Sequence, residues 1–371
     1  MMGRMATKHD LSPQHLMADE AFQGLLRRAR DFAREGMFPA RNLANTLHSV
    51  AKLCAARRVD VTDGAVEETL EALETAAVRV APSMNPQNLA NTVWAYATLG
   101  RAPKPESWRA LETAAVRVAP SMVPQNLANT LWACATLGRA PEPDTWRALE
   151  SAAVRAAASM KPRELANTVW AYTFLSSLRD VLLSSSYAVL WELVCNMEAR
   201  DFIAEGQTML FHAYLMHQSF LSSRVLTNIS TPPWLLVEAR DAWMSQLHYD
   251  VTVSRSQREL AQTLDELGVR HEVEHVTDDG YFSIDIYLPD HDIAVEFDGP
   301  SHYYSSGSSS LGGGDGTTTK NAKTELRDLF LGQRCAKVLT VPWFEFSKFN
   351  ASAVKRTSYV RELLAKEGIA V

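Results

Sequence analysis

Three carboxylates fall close together in the stretch Phe282 to Tyr303, FSIDIYLPDHDIAVEFDGPSHY. Asp285 lies in one run of alternating apolar and polar residues, and Glu296 and Asp298 lie in a second. The two runs read as strands joined by a tight turn at positions 289–292. With that turn Leu288 faces Ile293, so Asp285 sits directly across from Glu296 and Asp298 lies one pleat further along. Like charges at such a separation require a cation, a proton or basic groups. The face is therefore either a site or a polar surface neutralised by Arg327, Lys337 or Lys323. His302 follows at once, placed either to hydrogen-bond a phosphate or to pack.

The elements that must hold this face are legible around it. A capped helix, SQRELAQTLDELG from Ser256, carries Leu260, Leu264 and Leu267 on one face and stops at Gly268. A strand from Arg270 to Val276 precedes the hairpin. A Gly/Ser-rich break at 305–319 follows it. Then come a helix from Lys320 to Leu331, a strand from Lys337 to Val341 and a helix from about Ser352 to Lys366. The order is α-β-β-β-α-β.

Upstream, the chain repeats itself. LANTVWAYATLGRAP begins at Leu89, LANTLWACATLGRAP at Leu127 and LANTVWAYTFL at Leu165, so Trp94, Trp132 and Trp170 are 38 residues apart. NLANTLHSVAKL from Asn42 is an earlier copy, and Gln207 to Leu215 a degraded one. Each unit reads as a helical hairpin. Its first helix opens at Pro86, Pro124 or Pro162 and ends near Gly100 or Gly138, and its second opens at Pro105 or Pro143. One such unit cannot bury its apolar face alone, which predicts an α-solenoid. Before it, a helix over Glu20 to Arg34 carries the stripe Leu25, Leu26, Ala29 and Phe32. The expected divisions are 1–36 for the N-terminal segment, 37–225 for the solenoid, 226–255 for a connection through Pro232-Pro233, and 256–371 for the α/β part.

The repeat units differ mainly at the start of the first helix. Those positions read Arg41-Asn42, Gln87-Asn88, Gln125-Asn126 and Arg163-Glu164. Amide and charged side chains in an exposed first turn can reach the base edges of single-stranded RNA, as helical repeats do at one base per unit; alternatively they solvate or cap the helix. Arg101 and Arg139 lie near enough to add positive charge to such a stripe. The constant Asn91, Asn129 and Asn167 read as buried hydrogen-bond bridges between helices, and the repeat tryptophans as core.

The formal charge of −6 excludes an indiscriminate polyanion binder. The four cysteines have no metal-ligand spacing, which suits a reducing compartment. No run of about 18 apolar residues suggests a membrane span. The first residues form no clear targeting peptide.

The LANTLWAxATLG pattern resembles the octotricopeptide repeats of organellar RNA-binding proteins. Asp285-Ile286, the segment from Ile293 to His302 and Val341-Pro342-Trp343 resemble the RAP domain, found with helical repeats in those proteins and in FAST-kinase-like mitochondrial proteins. Together the two resemblances cover roughly 40–180 and 256–371. They imply a helical-repeat solenoid followed by a small restriction-endonuclease-like α/β domain. They further imply single-stranded organellar RNA as partner, with other organellar RNA-processing proteins. The expected place is the mitochondrial matrix, or the chloroplast, and the expected work is transcript processing, stabilisation or translation. On that reading Arg41, Gln87, Asn88, Gln125, Asn126, Arg163 and His302 contact RNA.

Nucleases of the related fold pair an Asp with an acidic-x-Lys on the next strand, and Mg²⁺ activates water. Asp285 and Glu296 hold the acidic positions, but Asp298 stands where the lysine belongs. Lys320 or Lys323 would have to replace it. The alternatives to a non-catalytic RNA binder are thus an Mg²⁺-dependent endoribonuclease using Asp285, Glu296, Asp298 and Lys323, and a scaffold whose solenoid binds a peptide.

Overall fold

A computed structural model describes residues 13–179, 185–221, 230–250, 253–304, 319–349 and 352–369. Apart from Thr319, the Gly/Ser-rich stretch lies outside them. Helices α1 (Pro13–Ala18) and α2 (Glu20–Arg34) come first. Asp19 caps α2 by accepting from the amides of Ala21 and Phe22. The apolar stripe of α2 is rotated from the expected one. Phe22, Leu26, Ala29 and Ala33 are buried against α4, whereas Phe32 is 40% exposed.

Four hairpins follow. They are α3 (Ala40–Ala55) with α4 (Gly64–Val80), α5 (Pro86–Thr98) with α6 (Pro105–Val118), α7 (Pro124–Thr136) with α8 (Pro143–Ala156), and α9 (Pro162–Arg179) with α10 (Ser185–Cys195). Helix α11 (Ala204–Met216) takes the first-helix place once more. Proline at the first position costs α5 to α9 no hydrogen bond, because that N–H has no partner within the helix. Gly100 and Gly138 end α5 and α7 at φ 61°, a conformation a side chain would strain. The first helices α3, α5, α7, α9 and α11 pack side by side, with α4, α6, α8 and α10 in a row behind them. This is a solenoid of stacked helical hairpins.

Polar bonds at the repeat spacing pin each unit to the next. Arg79, Arg117 and Arg155 reach back to carbonyls of the preceding unit, Arg79 to Ala33 at 3.0 Å, Arg117 to Met84 at 2.7 Å and Arg155 to Ala119 at 2.8 Å. Buried Glu74 and Glu112 reach forward and accept the amides of Lys104 and Glu142, which open α6 and α8, at 2.6 and 2.8 Å. Glu150 accepts the Ser186 hydroxyl at the start of α10 in the same way. Glu74 and Glu112 each satisfy a helix-start N–H that has no partner within its helix.

The stretch expected as a connection instead carries helix α12 (Glu238–Asp250), packed on α11. Trp243 on α12 donates its indole N–H to Tyr281 O at 2.9 Å, which ties the helix to the α/β part. There α13 (Arg255–Glu266) precedes strands β1 (Glu272–Val276), β2 (Ser283–Leu288) and β3 (Ile293–Asp298). Helix α14 (Ala322–Leu331), strand β4 (Lys337–Pro342), a short α15 (Trp343–Phe346) and α16 (Ala353–Lys366) complete it. The sheet order is β1-β2-β3-β4; β1 to β3 are antiparallel, and β4 is parallel to β3. Leu288 pairs with Ile293 and Ile286 with Val295, the register the turn predicts. Leu260, Leu264, Val360 and Leu364 cover one side of the sheet. Phe282, Ala294 and Phe330 join a core continuous with the repeats.

Candidate functional site

The carboxylate face is a closed ion network. Strands β2 and β3 exchange bonds from backbone to side chain: Phe297 N–H donates to Asp285 Oδ2 at 2.7 Å, and Asp285 N–H to Glu296 Oε1 at 3.2 Å. Glu296 and Asp298 are 1% and 0% exposed, whereas Asp285 and the groups around them, Arg327, Lys320 and His302, are partly exposed. Arg327, on α14, lays its guanidinium across both, with Nη1 3.0 Å from Glu296 and Nη2 2.8 Å from Asp298. It also reaches Asp328 at 3.0 Å. Lys320 binds Asp298 at 2.9 Å and Asp328 at 2.6 Å, and His302 Nδ1 lies 3.1 Å from Asp298.

The pKa shifts follow from this geometry. Burial pushes the Glu296 carboxyl up to about 8; Arg327 pulls the other way, and Asp285 adds to the rise. Burial also raises Asp285. Burial alone would raise Asp298 too, but bonds from His302 and Lys320 and the Arg327 charge hold it well below the usual carboxylate range. The same anions raise Arg327 against its own desolvation.

This arrangement corrects several expectations. The neutralising groups are Arg327 and Lys320, not Lys337, which pairs with Glu367, nor Lys323, which points elsewhere. The Arg327 fork lies between Glu296 and Asp298, where a Mg²⁺ shared by those two carboxylates would sit, so the set does not fit that ion. Among the described residues no group of three His, Cys, Asp or Glu side chains could hold a metal. His302 is turned inward, toward Asp298, Arg327 and Thr324. A guanidinium at hydrogen-bond distance from two carboxylates ties Glu296 and Asp298 to α14.

The other sequence-derived residues lie on the solenoid. Positions 87, 91, 94 and 98 of α5 fall on one helical face by their 3.6-residue spacing, the face left open when the helix packs on its neighbours. Gln87 and Gln125 are exposed in first turns, as are Arg41 and Arg163 on α3 and α9. Asn88 departs from this set. It is buried, and its side chain closes a capping box with Asn85, the two bonds 3.4 and 2.8 Å long. Asn126 is half-buried.

Asn91, Asn129 and Asn167 are half-exposed on the open face, and among the described residues no hydrogen bond joins them to a neighbouring helix. They are not buried bridges. Trp94 and Trp132 are half-exposed on the same face, whereas Trp170, Trp108 and Trp146 are buried as expected. Arg101 and Arg139 are withdrawn from it. Arg101 is 1% exposed between Glu67 and Glu74, and Arg139 donates to Pro103 O over the Trp108 ring.

The open face runs into a cleft of about 800 Å³ where the solenoid meets the α/β part. Trp132 and Trp170 come from α7 and α9, Glu205 and His212 from α11, Trp243 from α12 and Lys323 from α14. Trp170 donates its indole N–H to His212 Nδ1 at 3.1 Å. An indole only donates, so that imidazole nitrogen is the acceptor and the ring is neutral. Burial and the charge of Lys323 lower His212 to about 3, in agreement. Desolvation lowers Lys323 itself, although its side chain reaches solvent through the cleft mouth; Glu205 opposes the shift. Tyr304 fixes this wall by donating to Thr136 O at 3.1 Å while accepting Ala322 N–H at 2.9 Å.

Sequence reasoning missed His212 and Trp243. The i, i+3, i+7 spacing of Glu205, Thr208 and His212 on α11 is the signal that places His212 on the open face; nothing local to Trp243 could have placed it.

Among the described residues no helix is long and apolar enough to cross a membrane. No curated protein matches the chain. Residues 106–193, from α6 into α10, match the family model described as Tbc2 translation factor, N-terminal domain.

Proposed function

We propose that this protein binds single-stranded RNA along the open face of its first helices and serves organellar gene expression. The observation that carries the proposal is the alignment of that face. Residues that vary between units, Arg41, Gln87, Gln125 and Arg163, stand in exposed first turns of successive helices, each four positions before a constant asparagine. Amides and arginines read base edges, and the half-exposed Trp94 and Trp132, one turn further on in their units, offer stacking surfaces. The translation-factor family model that matches 106–193 and the resemblances to octotricopeptide repeats and RAP domains support the same reading. They favour control of translation, stability or processing of transcripts in the mitochondrial matrix or the chloroplast, alongside other RNA-processing proteins.

The α/β domain acts in this proposal as the end wall of the array rather than as a nuclease. Arg327 and Lys320 engage Glu296 and Asp298, and Asp285 accepts the Phe297 amide, which speaks against these carboxylates as a metal site. Filter binding of pooled organellar RNA, with and without Mg²⁺, tests the proposal. The expected result is retention in both conditions and no Mg²⁺-dependent cleavage. Cleavage that Glu296→Ala abolishes would establish the endoribonuclease instead. Absence of retention in both would favour the peptide-binding scaffold.

A further inference from the structure

The cleft between the solenoid and the α/β domain has features that the open face of the earlier units lacks. Three indoles and an imidazole converge in it, from Trp132, Trp170, Trp243 and His212. The rings of His212 and Trp243 are 5.0 Å apart, and those of Trp170 and His212 6.4 Å. The indole N–H groups of Trp170 and Trp243 are already bound, to His212 and to Tyr281 O. Those bonds lock two ring planes; Trp132 and Trp243 are partly exposed to the cleft, and Trp170 is buried behind them against Phe174. Lys323 stands among them, and among the described residues no carboxylate lies within ion-pair distance of its ammonium.

An occupant must therefore present a flat π surface and an anion together. A cage of aromatic rings also suits a quaternary ammonium or methylated lysine. Here Lys323 opposes a cation among the rings, His212 is held neutral, and Glu205, the carboxylate of the lining, is exposed to solvent with its charge acting on Lys323. The volume of about 800 Å³ lies in the range of small-ligand sites, roughly 300–1,000 Å³, and is too narrow for a duplex. The cleft is also continuous with the face that bears Gln125, Asn129 and Arg163.

Resting on the RNA-binding reading, we infer that this cleft is the pocket for one unstacked nucleotide of the bound strand. Its base lies against the indoles and its phosphate on Lys323. Glu205, an acceptor at the mouth of the cleft, faces the amino or ring N–H edge of the base. The pocket fixes the register of the strand: one nucleotide is held where the array ends, and its neighbours run back over α9, α7 and α5.

The test uses the full chain with pooled single-stranded RNA by filter binding, and the four nucleoside monophosphates by quenching of intrinsic tryptophan fluorescence. Lys323→Gln and Trp132→Ala alter side chains that reach solvent, and circular dichroism checks that both fold. Wild type is expected to bind the pool and to be quenched by at least one monophosphate. Each variant is expected to bind RNA about tenfold more weakly and to lose the quenching, the scale of one lost base stack. If wild type binds RNA and both variants bind it equally well, the pocket is refuted while the RNA-binding reading stands. If wild type binds no RNA, the reading itself falls and the pocket with it. Quenching by trimethyl-lysine and not by any monophosphate would overturn the assignment in favour of a cation cage.

Discussion

Glu296→Gln tests whether the carboxylate network carries its charge as the geometry requires. Burial raises Glu296 from an ordinary 4.5 to about 8. Between those values the folded protein holds a proton that the unfolded chain has released. Linkage then makes stability fall as pH rises through that window, and the contribution is fully present below about 4.5. At about 1.36 kcal/mol per pH unit, a window of this width is worth on the order of a few kcal/mol. That is a large share of the ~5–15 kcal/mol typical of a domain. Asp298 has the opposite sign. Its carboxyl is held low, so its contribution is present at pH values above its ordinary 3.8 and fades as pH falls below that. The sheet is thus expected to be most stable just below pH 5. Glutamine is neutral throughout and leaves Arg327 its bonds to Asp298 and Asp328.

Hydrogen exchange of the β3 and β4 amides, corrected for intrinsic rates and read by mass spectrometry between pH 5 and 8, measures opening of this sheet apart from the solenoid. Wild type is expected to lose protection steadily as pH rises. Glu296→Gln is expected to fall less steeply, since only the raised Asp285 remains, matching wild type near pH 5 and exceeding it at pH 8. A wild-type profile that is flat or rising would refute the assignment, and so would a variant that keeps the wild-type slope.

Two further outcomes follow from the solenoid. The cations on or beside the open face are few, Arg41, Lys52, Arg163 and Lys323, so log affinity for single-stranded RNA should fall with log salt at a slope of roughly −3, about −0.7 per contact. Arg163→Gln should make it shallower by about 0.7, and a wild-type slope steeper than about −6 would show that RNA lies elsewhere. Glu112→Ala removes the acceptor for the Glu142 amide and should lower stability by about 1–2 kcal/mol in thermal melting, with Glu112→Gln recovering most of it. Equal melting of all three proteins would show that this bond does not couple the units.

What could be read in advance was local or periodic. The 38-residue recurrence of tryptophan, with proline at helix starts and glycine at helix ends, specifies hairpins that must stack. The turn at 289–292 specifies the register that sets Asp285 against Glu296. The identity of the groups that answer those charges was not local. Arg327 and Lys320 come from beyond a long Gly/Ser-rich segment, and whether Lys320 or its near neighbour Lys323 turns inward depends on how the chain enters α14. Lys320 bridges to Tyr303 before the helix begins, which aims it at Asp298, while Lys323, on the first turn, faces α11. The Asn88 error had a local remedy, since Asn85-Pro-Gln-Asn88 is spaced as a capping box and capping competes with exposure. The α2 stripe differed for a packing reason: Phe22 and Phe32 compete for the core, and the helix turns toward the one that meets α4.

The constant and variable positions of the repeat now divide by physical role. Arginines 79, 117 and 155 and glutamates 74, 112 and 150 recur because each closes a bond from one unit to another, and a change at any of them would alter how units stack. Tyr96 and Tyr172 recur because they are wholly buried. Position 87 and its equivalents answer to no such constraint, since their side chains project into solvent. That freedom explains why they vary, but it does not explain the half-exposed Asn91, Asn129 and Asn167, which are constant without forming a bond between helices. A residue kept identical in three units, with amide groups facing outward and no structural partner, is what a common feature of every bound nucleotide would require. The sugar and phosphate are that common feature. If the protein binds RNA as proposed, the asparagines would hold the backbone and the residues one turn before them would meet the bases.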